Sequence, residues 1–99
     1  MLEINKRFED DALLVTLVGR LDTTTSPELE EVIRAKLPEL KKLVFDFEQL
    51  DYISSAGLRV LLYCQKVMNK QGEMKVMHVN ETIEEIFEVT GFDEILTIE

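Results

Sequence analysis

The chain has 99 residues, enough for one domain with one core, and its 45% apolar and 31% charged composition fits a folded globular protein rather than a disordered one. Its formal net charge is −9, from 11 basic and 20 acidic residues. That balance argues against nucleic acid or an anionic lipid surface as a partner, and a protein partner is expected to present a basic surface.

The first twenty residues alternate with period two. Leu2, Ile4 and Phe8 precede "EDD", and Leu13, Val15 and Leu17 follow it on one face of "ALLVTLVG", which predicts a β-hairpin whose second strand stops at Gly19. In "RLDTTTSPELEEVIRAKL", Ser26 before Pro27 supplies an N-cap and a first helical residue, while Thr25 with Glu28 offers a competing capping box one position earlier. Leu29, Val32, Ile33 and Leu37 form the buried stripe of that helix, and Pro38 ends or kinks it. "KKLVFDF", with Val44, Phe45 and Phe47, reads as an inner strand.

A long apolar helix, roughly Ala56 to Lys70, is expected to be the most buried, and Cys64 within it behaves as a small hydrophobe. Gln71-Gly72 turns the chain into a fourth strand, "EMKVMHV". Asn80 caps a helix bearing Ile83, Ile86 and Phe87, Gly91 stops it, and "FDEILTIE" supplies a last short strand. The fold class is therefore α/β, with a mixed sheet of about five strands and helices packed on it in the order β-β-α-β-α-β-α-β. Residues 1–99 are read as one domain, since no repeat, linker or low-complexity tract divides them. The start "MLEINKRFED" lacks the layout of a signal peptide, no apolar run approaches the roughly 20 residues of a membrane span, and a lone cysteine suits a reducing compartment. A cytoplasmic location without direct membrane insertion is the expectation.

The chemistry concentrates in "DYISSAGLRVLL", Asp51 to Leu62, where small polar residues stand at a strand-to-helix junction. A serine nucleophile needs a base and a group to orient it. His78 is the sole histidine, no Gly-x-Ser-x-Gly surrounds Ser54 or Ser55, and Leu58 stands where Ser-x-x-Lys needs a lysine, so no enzyme is expected. One Cys and one His make no zinc set, and no phosphate-binding glycine loop is present, so neither metal nor cofactor is expected. The simplest role for Ser54 or Ser55 is to cap the next helix, at about 1 kcal/mol. Two serines followed by Ala56 and Gly57 exceed what one cap requires, and leave the junction open.

"VTLVGRLDTTTSPEL" followed by "LVFDFEQLDYISSAGLRVLL" resembles the STAS domain of bacterial anti-sigma factor antagonists, and the likeness runs through essentially the whole chain. The resemblance implies a STAS-like fold and a regulatory role: the unphosphorylated form binds an anti-sigma factor of the serine-kinase type and releases the sigma factor, and phosphorylation of a serine at a helix start switches it off. Aligned on Gly57-Leu58, Ser55 falls on the phosphoacceptor and Ser54 is the minor candidate. Ser54 stands where the family often has Asp, and Ala56 where it often has Ser or Thr. Asp22 of "GRLD" matches the family's acidic loop residue, with Thr23 beside it. The implied partner surface is Asp22, Thr23, Ser54, Ser55, Ala56, Gly57 and Arg59. The implied partners are an anti-sigma factor or serine protein kinase, with a serine phosphatase to reverse the modification. Two other readings remain open: a STAS subunit of a membrane lipid transporter, and a domain sensing a small anion or nucleotide at the helix start.

Asp22 is equally well read as a turn former, Asp46 as an end-of-strand acceptor and Asp51 as a solvated acid. His78 is read as structural. Met68, Met74 and Met77 are assigned to the core, and Glu81, Glu84, Glu85 and Glu88 to a solvated helix face.

Overall fold

The computed structural model describes residues 2–99. Strands β1 (Leu2–Glu9) and β2 (Ala12–Leu21) form the hairpin, followed by α1 (Ser26–Arg34), β3 (Lys42–Ile53), α2 (Ser55–Gln71), β4 (Glu73–Met77) and α3 (Glu81–Thr90). Short 3₁₀ turns occupy Leu37–Glu39 and Phe92–Glu94. The sheet order is β1-β2-β3-β4, with β1 antiparallel to β2 and the other two pairs parallel, as two β-α-β crossovers require.

Residues paired across neighbouring strands share a face, and Leu13, Leu43 and Met74 lie in one such row and Val15, Phe45 and Val76 in the next, all buried. The adjacent rows, Leu14, Val44, Lys75 and Thr16, Asp46, Met77, are only partly buried. The single core therefore lies on one face, where α1 contributes Leu29 and Ile33, α3 contributes Ile83 and Phe87, and α2 contributes Leu58, Val60, Leu61, Cys64 and Met68. Helix α2 carries the largest share, as its sequence predicts.

Strand β3 holds the geometry that places the site. Its register against β2 gains one residue between Asp46 and Gln49 and another between Leu50 and Tyr52. Core positions therefore run Leu43, Phe45, Phe47 at period two and then Leu50 and Ile53 at period three, all fully or almost fully buried. The two bulges carry the strand past the expected "KKLVFDF" to Ile53, beside Leu21 at the end of β2.

Four expectations need correction. Gly19 does not end β2: it takes φ 110° at the second register shift, and the strand continues to Leu21. Neither predicted cap of α1 forms. Thr25 is the N-cap residue without a side-chain cap bond, because its hydroxyl and that of Ser26 are drawn back into the preceding loop. Met77 belongs to the open face of the sheet rather than the core, and His78 leaves the strand with φ 58°. The final strand contracts to one parallel bridge, Val76 to Ile98, because "FDE" is spent on a 3₁₀ turn. The α3 expectation holds: Asn80 Oδ1 accepts the Ile83 amide at 2.9 Å, and Gly91 closes the helix with φ 79°.

Candidate functional site

Strands β2 and β3 run in parallel and end together, so their following loops meet at the C-terminal edge of the sheet, where α/β folds place their sites. The Ser54 amide donates to the Leu21 carbonyl at 2.9 Å and ties the two loops at their first residues. The "RLD" and "ISSAGL" segments, more than thirty positions apart in sequence, become neighbours through this register.

The first loop is organised by Asp22. Its Oδ1 accepts the amides of Thr24 and Thr25, each at 3.0 Å, and its carbonyl accepts the Ser26 amide at 2.8 Å and the Ser26 hydroxyl at 2.6 Å. Thr25 Oγ1 lies 2.8 Å from the Arg20 carbonyl and 3.2 Å from Asp22 Oδ1, and its single proton serves the nearer acceptor. The same oxygen accepts the Asp22 amide at 2.9 Å. These bonds, led by the Thr25 amide, hold the Asp22 carboxyl below its ordinary pKa against some desolvation. Asp22 is thus a turn former, as its alternative reading has it, with Oδ2 left facing Arg20 Nε at 3.9 Å. The Arg20 guanidinium in turn covers the Tyr52 ring at 4.5 Å. Thr23, at the tip, is exposed.

The second loop separates the two serines. Ser54 is extended, φ −96° and ψ 176°, and is the N-cap of α2: its Oγ accepts the Gly57 amide at 3.4 Å, and its carbonyl accepts the Leu58 amide at 2.9 Å. Ser55 is the first helical residue, exposed, with no side-chain hydrogen bond among the described residues. Its amide and that of Ala56 precede the helical ladder, so the hydroxyl sits beside the positive end of a 17-residue helix. Gly57 is buried beneath them. A Cβ there would come within 2.8 Å of both Ile53 Cγ1 and Leu21 Cγ, so only glycine lets α2 start this close to the ends of β2 and β3.

An open groove of roughly 340 Å³ runs between the first turns of α1 and α2. It gathers Thr23, Ala56 and Arg59 of the expected surface and adds Ser26, Pro27, Glu30 and Val60. The sequence marked Ser26 and Pro27 only as a helix start and gave Glu30 and Val60 no surface role, because the four become a wall only when α1 packs on α2; the Pro27 N-terminal turn was the available signal. Of the remaining four expected residues, Ser55 is exposed at the first turn of α2 but is not part of this lining, and the other three serve from below, Ser54 as cap, Gly57 as the close-packed contact and Asp22 as the brace of the loop.

His78 and Cys64 lie elsewhere. His78 Nδ1 meets Asp46 Oδ1 at 3.0 Å, and that hydrogen bond, with the carboxylate's charge, raises the imidazole pKa. Cys64 is fully buried, and desolvation pushes its thiol up to about 12, which leaves it unreactive. Among the described residues no group of His, Cys, Asp and Glu could hold a metal ion, and no helix is long and apolar enough to cross a membrane.

Comparison with known proteins places these features in a family. Residues 3–99 match the STAS domain model. BtrV of Bordetella bronchiseptica, provisionally described as an anti-sigma factor antagonist, is 34% identical over 91 residues, covering 90% of this chain and 78% of that protein. The anti-sigma-B factor antagonist of Staphylococcus aureus is 28% identical over 99 residues, covering 98% of this chain and 92% of that protein. Among solved structures, the Bacillus anti-sigma factor antagonist SpoIIAA superposes with a TM-score of 0.85 in its unphosphorylated form and 0.78 in its phosphorylated form. Its identity is 15% in both, over 98% of this chain and 88% and 91% of those chains, so it speaks to the fold. With the strand register, the helix-start serines and this full-length match together, the chain belongs to the STAS domain family, among the bacterial anti-sigma factor antagonists.

Proposed function

We infer that this protein is an anti-sigma factor antagonist: unmodified, it binds an anti-sigma factor and frees the sigma factor, and phosphorylation of Ser55 ends that binding. The relatives are described as anti-sigma factor antagonists, one of them provisionally. The observation that carries the choice of Ser55 is its free, exposed hydroxyl at the start of α2, next to a Ser54 hydroxyl already used as the cap. The kinase is the anti-sigma factor itself or a serine protein kinase acting with it, and a serine phosphatase resets the site.

Magnitudes locate the switch. A phosphoserine adds about −1.5 to −2 charges, and at a helix N-terminus the dipole and free amides favour it by roughly 0.3 to 1 kcal/mol. Domain stability is about 5 to 15 kcal/mol, so the modification leaves the fold in place. Burying the same charge uncompensated in a protein contact costs several kcal/mol, and each 1.4 kcal/mol is tenfold in affinity. The switch therefore acts at the interface formed by Ser55 and the α1–α2 groove.

The test is affinity for the purified anti-sigma factor by titration calorimetry. Ser55→Asp is expected to weaken binding by about tenfold or more, and Ser55→Ala to bind within a few-fold of wild type while accepting no phosphate. Equal binding by wild type and Ser55→Asp would remove the proposal.

A further inference from the structure

The four arginines differ in what they touch. Arg7 approaches Glu9, Arg20 faces Asp22 and covers Tyr52, and Arg34 lies over the Tyr63 ring at 5.0 Å. Arg59 alone has no ion pair and no aromatic partner among the described residues, although it is exposed on the wall of the α1–α2 groove with Glu30 across from it. It stands four residues after Ser55 on the uninterrupted helix α2, and both side chains are exposed. Positions i and i+4 lie on one helix face with Cβ atoms about 5–6 Å apart, within reach of a guanidinium and a phosphate on the earlier residue.

We propose that Arg59 is a built-in clamp for the phosphate on Ser55, turning from the groove to pair with it once the serine is modified. The proposal rests on the reading of Ser55 as the phosphoacceptor and adds a second consequence to phosphorylation. A partner loses the neutral hydroxyl and, at the same time, the one free cation of the groove. Arg59 is a positioning residue in this account; it has no part in forming or breaking the phosphoester bond. The fork of the guanidinium matches two phosphate oxygens, which an ammonium does not. Glu30, on the opposite wall, repels the phosphate and favours the Arg59 side.

The experiment uses the whole 99-residue chain with phosphoserine installed at position 55 during synthesis through a reassigned codon, so that no kinase is needed. The ³¹P shift is followed against pH in this protein and in its Arg59→Ala and Arg59→Lys variants. The second ionisation of a phosphoserine has a pKa of about 6, and a cation beside the dianion lowers it. The midpoint of the parent is expected below that of Arg59→Ala by about 0.3 unit or more, with Arg59→Lys between them. A helix-start effect alone would be the same in all three proteins. Identical midpoints for the parent and Arg59→Ala overturn the clamp. If cells never phosphorylate Ser55 the functional reading fails instead, a separate result that this titration does not depend on.

Discussion

Ser54 and Ser55 carry the same side chain one residue apart, and the backbone gives them different work. The Ser54 hydroxyl accepts from Gly57 and the Ser55 hydroxyl points to solvent, so Ser54→Ala is expected to cost about 1 kcal/mol of stability in a urea titration while Ser55 remains the acceptor. Loss of all phosphorylation in Ser54→Ala, with the protein still folded, would mean that the cap itself is the modified group. The sequence marked both serines, and alignment on Gly57-Leu58 pointed to Ser55; deciding which hydroxyl is occupied required the φ and ψ of Ser54. Asp22 was legible as either a turn former or a contact residue. Its bonds to Thr24 and Thr25 establish the turn-forming role, with which a contact role is compatible, and lower its pKa, so the stability it contributes is present above its ordinary value of 3.8 and lost as pH falls through the lowered one.

At the scale of elements, the join between β2, β3 and α2 depends on Gly57. Alanine gains about 1 kcal/mol of helix propensity, yet its Cβ overlaps Ile53 and Leu21, and overpacking of this kind costs about 1–3 kcal/mol. Gly57→Ala is therefore expected to lower stability and to weaken anti-sigma factor binding together, measured by urea midpoint and calorimetry; unchanged values for both would show that α2 starts with room to spare. Asn80 is a second junction, since its Nδ2 donates to the Leu50 carbonyl at 2.6 Å while its Oδ1 caps α3. The cap was readable in "NETIE", but the bond to Leu50 was not, because it spans thirty residues and depends on the β3 bulge. Period-two and period-3.6 patterns gave the hairpin, the helices and the inner strand. They missed the bulges of β3, whose spacing of three from Phe47 to Leu50 to Ile53 reads as a break in the alternation, and they overextended the end of the chain, where one bridge at Ile98 replaces a strand.

Across the whole molecule, every helix covers one face of the sheet, and the parallel strands deliver the loops after β2 and β3 to one edge. Every charged residue after His78 is acidic, which concentrates the net negative charge on α3 and the end of the chain, as the solvated Glu81, Glu84, Glu85 and Glu88 suggested. The pair of His78 and Asp46 joins the end of β4 to the open face of β3, and the raised pKa of His78 gives a defined sign. The stabilisation is complete below about pH 6.5, the unfolded value, and is lost as pH rises through the folded one. The stability difference between wild type and His78→Asn, a residue that tolerates the positive φ, is expected to shrink from pH 5.5 to pH 8.5 in paired urea titrations; a difference independent of pH would contradict the ion pair. Ser55 is the residue on which switching depends. The measurement that tests it most directly is phosphopeptide mapping of the protein purified from its own cells under growth, starvation and stress, read at the peptide spanning Tyr52 to Arg59. Phosphate on Ser55 in at least one condition is the predicted result. An unmodified peptide in all of them would contradict it, leave the serines as a helix start, and bring the transporter-subunit reading forward.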